Sequence, residues 1–183
     1  MKVEVPLQTA HRLLAGRPVC LLTTRYRGQN NVMTLSWSCP VSLEPPLLAL
    51  VVHPSRYTHG LLERAQECVL NIPARPMGEQ IKDWGTRSGA DLDKLDASSL
   101  DMSEGRRVGA LWIDACLAHL ECAVVDRFSP GDHSIFVAQV VGAWAEEDAF
   151  AGTWSVQSQV EDLLPLAHLG GSRFAMFGSE IML

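Results

Sequence analysis

The chain has 183 residues, 47% of them hydrophobic, so we expect one domain, residues 1–183, that buries its own core without disulfides or a structural metal. The formal net charge of −6 argues against nucleic acid as a partner, because binding to a phosphate backbone needs a basic surface. No apolar run approaches the roughly 18 residues of a membrane span, and the N-terminal segment lacks the apolar stretch of a signal peptide, so we expect a cytoplasmic protein without a membrane partner.

The five cysteines are typical of a reducing compartment. Their number is odd and no two form a C-x-x-C pair. The spacing Cys116-x-x-His119-x-x-Cys122 suggests a metal site, but in a strand the two cysteines would share one face and His119 would point to the other. We therefore expect the cysteines to be small core residues and predict no metal site.

Three strands are predicted in the first third of the chain. Residues 18–24 form a β-prone run, and the Gly and Asn residues of RYRGQNN are typical of a hairpin turn, so residues 18–40 are predicted to form two antiparallel strands. After Pro45 and Pro46, the continuous apolar run of residues 47–52 predicts a strand that is buried on both faces.

The hydrophobic period then changes to that of a helix. The apolar residues spaced along one helix face are Leu61, Leu62, Ala65, Cys68 and Val69. Ser55 and Thr58 both stand where an N-cap would be, and we predict a short helix that begins near Thr58. A helical turn is predicted over residues 77–84, and the polar tract 91–107 is predicted to run over the surface.

The β pattern returns from Leu111 onwards. Residues 116–128 and 133–147 are strand-length runs joined by SPGD, which is made of turn-forming residues, so they predict a β-hairpin. The C-terminal segment is mixed and predicts coil with short pieces of strand. Five to seven strands without regular strand–helix alternation indicate a mainly antiparallel β fold, either a sandwich or a barrel.

The common motifs of dinucleotide, nucleotide triphosphate, zinc-protease and serine-hydrolase sites are absent. The six histidines are scattered, and single histidines are usually structural. His133 is the exception, because it lies in the tight turn PGDHSIF, where a strand end can present a side chain over a site. We therefore consider His133 a candidate catalytic residue.

Two segments are candidates for ligand binding. Ser55, Arg56 and Thr58 stand at a predicted helix start, where hydroxyls, a guanidinium and free backbone N–H groups could hold a phosphate. A helix cap beside a solvated arginine explains the same residues. The stretch NNVMTLSWS offers hydrogen bonds to a planar polar ligand beside Met33 and Trp37, although a strand with one solvent-facing side also explains its alternation.

Several segments together resemble the flavin reductase-like FMN-binding split-barrel family, and within it the flavoredoxins. In chain order they are PVCLLTTRYRGQNNVMTLSWSCPVSLEPPLLALVV, SRYTHGLLERAQECVLNIP, DKL, HLECAVV, GDHSIFVAQVV and LPLAHLGGSRF. The resemblance implies a mainly β fold, a six-stranded antiparallel Greek-key split barrel with short helical insertions. It also implies a homodimer with one non-covalent FMN per protomer at or near the dimer interface.

The resemblance also implies the site residues. The family segment N-x-M-T-x-S-W, which contacts the isoalloxazine and ribityl parts of the flavin, is matched by Asn31, Met33, Thr34, Ser36 and Trp37. The phosphate-binding segment S-R-x-T is matched by Ser55, Arg56 and Thr58.

Two further matches lie in the second half of the chain. Lys94 matches a flavin or phosphate contact that can reach across the dimer, and His133 matches a residue close to the flavin ring. Members of the family often place an aromatic residue before the two glycines of the last segment, whereas Leu166 and His168 occupy that region here.

The resemblance implies an FMN-dependent oxidoreductase whose cofactor carries the chemistry. One variant is a flavin reductase that takes hydride from NAD(P)H and supplies a partner monooxygenase. The other is a flavoredoxin that keeps its FMN and exchanges electrons with a redox partner protein. The alternative from a different class is a non-catalytic flavin-binding module on the same barrel.

Overall fold

The computed structural model describes residues 16–156 and 160–178. The strands in that part of the chain are β1 (Cys20–Tyr26), β2 (Gln29–Leu35), β3 (Ser38–Ser42), β4 (Leu47–Val52), β5 (Glu67–Ile72), β6 (Met102–Glu104), β7 (Leu111–Ile113), β8 (Ala118–Phe128), β9 (Ser134–Ala145), β10 (Leu166–Gly170) and β11 (Arg173–Met176). The helices are α1 (Tyr57–Ala65) and α2 (Gly78–Thr86), with 3-10 turns at Arg75–Met77 and Glu161–Leu163.

Seven strands form one antiparallel sheet in the order β2-β1-β5-β8-β9-β4-β3, and β6-β7 and β10-β11 form two separate hairpins. The two edge strands are consecutive in sequence, because β2 ends at Leu35 and β3 begins at Ser38. Three Cα steps span at most about 11 Å, so the two edges must meet there and the sheet must curl round. Counted as one interrupted strand, β2 and β3 make a barrel of six strands.

The strand order is that of a Greek key. With β2 and β3 taken together, β1, β2/β3 and β4 follow one another, and β5 then returns to pair with β1. The predicted mainly β fold with short helical insertions, a Greek-key split barrel, is therefore confirmed.

Alternation along the strands fills the barrel with apolar side chains. The inward-facing cluster includes Leu22, Leu50, Leu62, Leu70 and Phe136. A second cluster packs α2 and neighbouring segments against the outer face of β1 and β2, and it includes Leu21, Val32, Ile81 and Trp84. Each fully buried Leu or Phe contributes about 1.5–3 kcal/mol, so the first cluster stabilises the barrel and the second holds α2 and the segment after it against its outer face.

Both predicted hairpins are confirmed. Between β1 and β2, Arg27 and Gly28 have φ angles of 50° and 80°, which are typical of the two central residues of a type I′ turn. β8 and β9 pair over most of their length, with register shifts at Glu121/Cys122 and Val124/Asp126. The predicted helical turn near residues 77–84 is the helix α2.

Three predictions about local structure were wrong. Cys68 and Val69 were predicted on the apolar face of the helix, but they lie in β5, because the left-handed backbone of Gln66 (φ 58°) ends α1 at Ala65. β4 is not buried on both faces, because only Leu50 and Val52 are buried while the outward-facing side chains stay partly exposed. Helix α1 begins at Tyr57 and its N-cap is Arg56, without a side-chain cap. The extended backbone of Arg56 places it before the first helical turn, so neither Ser55 nor Thr58 acts as the cap.

The cysteines and His119 have separate surroundings. Cys116 Sγ lies 3.6 Å from the Met77 sulfur, whereas the His119 ring bonds Asn71 and stacks on Trp112. Within residues 16–156 and 160–178, no group of three or more His, Cys, Asp or Glu side chains is arranged to hold a metal ion. No helix in the same part of the chain is long and apolar enough to cross a membrane.

Candidate functional site

A pocket of about 530 Å³ opens at one end of the barrel. Its walls are residues 33–37, 51–53, 55–58, 84–89, 94 and 133. The size is typical of a small-molecule site. All the predicted site residues except Asn31 lie on these walls, so the fold brings the separate candidate segments together.

Strand register explains why three aromatic rings meet at the pocket. Val52 of β4 pairs with Ser134 of β9, so the next residue on each side, His53 and His133, leave the sheet at the same place. Their ring centroids lie 4.9 Å apart in an edge-on arrangement. Trp37 joins them because its carbonyl oxygen accepts a hydrogen bond from Val51 N–H at 2.9 Å, and its ring centroid lies 4.8 Å from that of His133.

The two imidazoles have opposite hydrogen-bonding states. The N–H of Ser55 donates to Nδ1 of His53 at 3.1 Å, so the proton of the neutral His53 ring lies on Nε2. Nδ1 of His133 lies 2.7 Å from Oδ1 of Asp132, so His133 carries its proton on Nδ1. The bond lowers the pKa of the Asp132 carboxyl. In their neutral forms the two rings are therefore opposite tautomers, with the proton on Nε2 in His53 and on Nδ1 in His133.

The start of α1 forms the cationic side of the pocket. No side chain caps this helix and its first turn contains no acidic residue, so its positive dipole end is not compensated. The exposed Arg56 stands at the N-cap, and the buried Thr58 follows in the first turn. Ser55 lies on the same wall, with its hydroxyl 2.7 Å from Nδ1 of His53.

Lys94 is a second cation on the cationic side of the pocket, near enough to Arg56 for the two charges to interact. It is 4% exposed, and its Nζ donates to the carbonyl oxygens of Trp84 at 3.0 Å and of Arg87 at 3.2 Å. These carbonyls belong to the end of α2 and the residues after it, where a cation is favoured by the helix dipole. Burial lowers the pKa of Lys94 to about 8; nearby Asp83 opposes this shift and Arg56 adds to it.

Two residues of the predicted flavin-contacting segment are engaged with the protein. Thr34 lies on the pocket wall, but its hydroxyl donates to the carbonyl oxygen of Ile81 in α2 at 2.6 Å. Asn31 lies behind the wall, 4% exposed, and its Nδ2 donates to Thr58 Oγ1 at 2.6 Å. Asn31 and Thr34 point to opposite faces of β2, because they are three residues apart in the strand. Asn31 therefore holds α1 against β2, and Thr34 holds α2 against it.

Several wall residues were missed from the sequence. They are Leu35, Val51, Val52, His53, Tyr57 and the segment 84–89. His53 was grouped with the structural histidines, and nothing in a single sequence indicates that β4–β9 register brings it to His133. Gly85 and Gly89 are the available signal, because both approach β2 closely: a Cβ at Gly85 would lie 3.3 Å from Thr34 Cβ, and one at Gly89 would overlap Asn31 Oδ1.

The donors on these walls suit a molecule with an anionic end and a flat aromatic part. The uncapped helix start, Arg56 and Lys94 provide positive charge on a chain whose net charge is −6. Met33, Trp37 and the two imidazoles provide apolar and aromatic surface. The residues present therefore fit a flavin mononucleotide.

Comparisons with known proteins agree with the fold. The flavin reductase like domain matches residues 12–174. An uncharacterized protein of Archaeoglobus fulgidus is 38% identical over 111 residues, which are 61% of this chain and 63% of that protein, slightly less than two thirds of its length. Uncharacterized protein YddH of Escherichia coli K12 is 30% identical over 188 residues, covering 98% of this chain and 96% of that protein.

A solved structure of flavoredoxin from Methanosarcina acetivorans is similar to this chain, with a TM-score of 0.85 and 24% identity, covering 100% of this chain and 95% of that chain.

Two sequence relatives have names that state an activity. The NADH-dependent FAD reductase of Streptomyces globisporus is 29% identical over 112 residues, 61% of this chain and 60% of that protein. The reductase component of a nitrophenol monooxygenase of Rhodococcus opacus is 28% identical over 127 residues, 69% of this chain and 65% of that protein.

The match to the flavin reductase like domain covers most of the chain, and the same fold appears in flavoredoxins. The two relatives described above are named as an FAD reductase and as the reductase component of a monooxygenase, and with the family match they support a flavin-binding redox function. The chain belongs to the flavin reductase-like family.

Proposed function

We propose that the protein is an oxidoreductase that transfers hydride or electrons through non-covalently bound FMN. The supporting observation is that one pocket of about 530 Å³ joins a cationic side to an aromatic side. The cationic side consists of Arg56, Lys94 and the start of α1, and the aromatic side consists of Trp37 and His133. A phosphate tail on a flat conjugated ring has the same two parts.

The residues of the chain would bind and orient the cofactor. Ser55, Arg56 and Thr58 would hold the phosphate through backbone N–H groups, hydroxyls and a guanidinium. Met33 and Ser36 would border the isoalloxazine and ribityl parts. FMN when bound supplies the hydride and electron transfer.

The remaining wall residues would act on protons and charge. His133, with Asp132 behind it, would accept a proton on Nε2, and His53 would donate from its own Nε2. Lys94 would place a positive charge beside the electron-rich ligand, as would Arg56. Trp37 would cover the aromatic part and exclude water from it.

The electron donor and acceptor are proposed from relatives. NADH or NADPH is the proposed donor, supported by the name of the Streptomyces globisporus FAD reductase. A monooxygenase is a proposed acceptor, supported by the Rhodococcus opacus reductase component, and a redox partner protein is the alternative, supported by the flavoredoxin structures. We further propose one domain, a homodimer and a cytoplasmic location, the last supported by five free cysteines.

Anaerobic reduction tests the proposed function. The purified protein is loaded with FMN, passed through a desalting column, and mixed without oxygen with NADH or NADPH while the visible flavin absorbance is followed. We expect retained flavin that bleaches with at least one donor, and recovery of the absorbance when air or an acceptor protein is added.

Two results would contradict this proposal in different ways. A protein that retains no flavin would exclude the flavin-binding function altogether. A protein that retains FMN but gives no reduction with NADH, NADPH or a reduced redox protein would instead favour the non-catalytic flavin-binding module.

A further inference from the structure

We infer that Asn31 is a positioning residue: its side-chain amide orients the Thr58 hydroxyl so that the hydroxyl donates to an anion in the pocket. The inference rests on the proposed function, in which that anion is the FMN phosphate. It differs from the expectation drawn from the family resemblance, in which Asn31 itself contacts the flavin.

The hydrogen bond between the two residues fixes the polarity of the hydroxyl. Asn31 Nδ2 donates to Thr58 Oγ1 at 2.6 Å, and the residues are 4% and 2% exposed. A hydroxyl has one proton and two lone pairs, and the amide of Asn31 occupies a lone pair. Within the described residues the Thr58 hydroxyl has no acceptor for its own proton, and Thr58 lies on the pocket wall. Its O–H is therefore available to the ligand.

Gly89 lies close to the oxygen side of the Asn31 amide. A Cβ at Gly89 would overlap Asn31 Oδ1 and would lie 3.1 Å from Cδ1 of Tyr57. Gly89 therefore allows the segment after α2 to close over the amide, and any larger residue must displace it. Asn31 joins two walls of the pocket, the start of α1 and the segment that ends at Gly89.

Asn31→Asp tests the inference because it keeps the shape and reverses the hydrogen bond. A carboxylate only accepts, so the Thr58 proton would turn toward residue 31 and away from the ligand. We expect the affinity for FMN to fall by about 10- to 100-fold, whereas the affinity for riboflavin, which lacks the phosphate, should change by less than about threefold. Fluorescence titration with each flavin measures both values.

Asn30→Asp is the matched control. Asn30 is the preceding residue of β2, so its side chain points to the other face, where Oδ1 accepts a hydrogen bond from Arg25 Nε at 2.7 Å. An aspartate keeps that acceptor and adds the same charge. We expect both flavin affinities to stay within about twofold of the wild type.

Gly89→Ala gives a second, independent test. The new methyl group should push the Asn31 amide aside and lower the affinity for FMN more than that for riboflavin. In an Asn31→Ala background the overlap with the amide is gone and only the 3.1 Å contact with Tyr57 Cδ1 remains, so Gly89→Ala should cause a smaller further loss of FMN affinity than in the wild type.

Each outcome supports or overturns the inference. Loss for FMN alone in Asn31→Asp, without loss in Asn30→Asp, supports it. Equal losses for FMN and riboflavin, or no loss for either, would overturn it while leaving the proposed function intact. Failure of the wild type to bind either flavin would overturn the proposed function and this inference with it. A misfolded variant is recognised by equal losses together with a changed circular dichroism spectrum, and the Gly89→Ala pair then decides.

Discussion

Arg56 is the residue on which phosphate binding should depend most, because it is an exposed cation at the uncapped start of α1. Arg56→Ala should weaken FMN binding by about 1.5–3 kcal/mol if the guanidinium makes a charge-assisted contact to the phosphate. Lys82→Ala is the matched control, since Lys82 is an exposed cation of α2 that does not border the pocket. Titration of both variants with FMN measures the difference, and unchanged affinity in Arg56→Ala would remove Arg56 from the site.

Lys94 should make FMN binding depend on pH. In the free protein burial lowers its pKa to about 8, so Lys94 loses its charge as the pH rises through that value. A phosphate monoester completes its second ionisation near pH 6, so its own charge is constant above about pH 7. Binding of the anion then requires proton uptake by Lys94, and the affinity should fall as the pH rises from about 7.5 to 9.

Lys94→Met separates this effect from other titrations. The variant should bind FMN more weakly at pH 7 and should lose the decline between pH 7.5 and 9. Lys82→Met, with the same chemical change on the exposed face of α2, should keep the wild-type profile. A decline that persists in Lys94→Met would assign the pH dependence to another group.

At the scale of single elements, β8 contains two buried polar residues that connect it to the hairpin β6–β7 and the loop between them. Glu121 is fully buried, and its carboxylate accepts hydrogen bonds from the N–H groups of residues 106–108 and from Trp112 Nε1. His119 stacks on Trp112 with ring centroids 4.3 Å apart and bonds Asn71 through Nδ1 at 2.8 Å. These contacts fix a polar loop whose sequence alone predicts only a surface excursion.

The buried His119 should make this region sensitive to acid. Burial lowers its pKa from 6.5 to about 4, so between these values the unfolded chain binds a proton that the folded chain does not. Stability should therefore fall as the pH drops below 6.5, by about 2–3 kcal/mol near pH 4.5 from this group. Urea unfolding at pH 7 and pH 4.5 measures the loss.

His119→Gln removes the titrating group and keeps a donor for Asn71. Its stability should fall less between pH 7 and pH 4.5 than that of the wild type, although it is less stable at pH 7. His168→Gln, on the short strand β10, is the comparison and should show the wild-type loss. An equal acid loss in His119→Gln and the wild type would show that His119 does not titrate as its burial predicts.

The two hairpins set by local sequence were predicted correctly, whereas elements and contacts set by distant parts of the chain were not. The β1–β2 turn and the β8–β9 hairpin follow from turn residues and alternation, which act over a few positions. β6 and β7 have three residues each, too few for a period to show, and pair across a polar loop. The Lys94 ammonium is buried because α2 ends beside it, a contact that no local pattern encodes.

The candidate site was predicted through resemblance and not through spacing. Alternation alone left NNVMTLSWS as a strand with one solvent-facing side, and a helix start beside Arg56 is common. The strand and the helix start are brought to one pocket by the closure of the barrel between β2 and β3 and by the pairing of Val52 with Ser134. These long-range registers also explain why His53 was missed and why the hydrogen bond between Asn31 and Thr58 was not predicted.

At the scale of the whole molecule, the outward face of β4 and β9 is the best place for the proposed dimer contact. The sequence predicted β4 to be buried on both faces, yet Leu47, Ala49 and Val51 stay partly exposed in the single chain. Ile135 and Val137 of β9 pair with Val51 and Ala49 and are partly exposed as well. An apolar strip of this kind is typical of a surface that a partner covers.

A homodimer through this strip predicts that Val137→Glu yields a monomer. Burying a carboxylate in an apolar interface without a partner costs several kcal/mol, so the dimer should dissociate. Val137 is partly exposed in the single chain and does not border the pocket, so the barrel should stay folded. Sedimentation should give twice the 20.0 kDa chain mass for the wild type and the single mass for Val137→Glu.

Leu92→Glu is the matched control, because Leu92 is 37% exposed in the segment after α2. This variant should leave the dimer intact. A wild type that sediments at 20.0 kDa would exclude the dimer, and a dimeric Val137→Glu would place the interface on another face of the barrel.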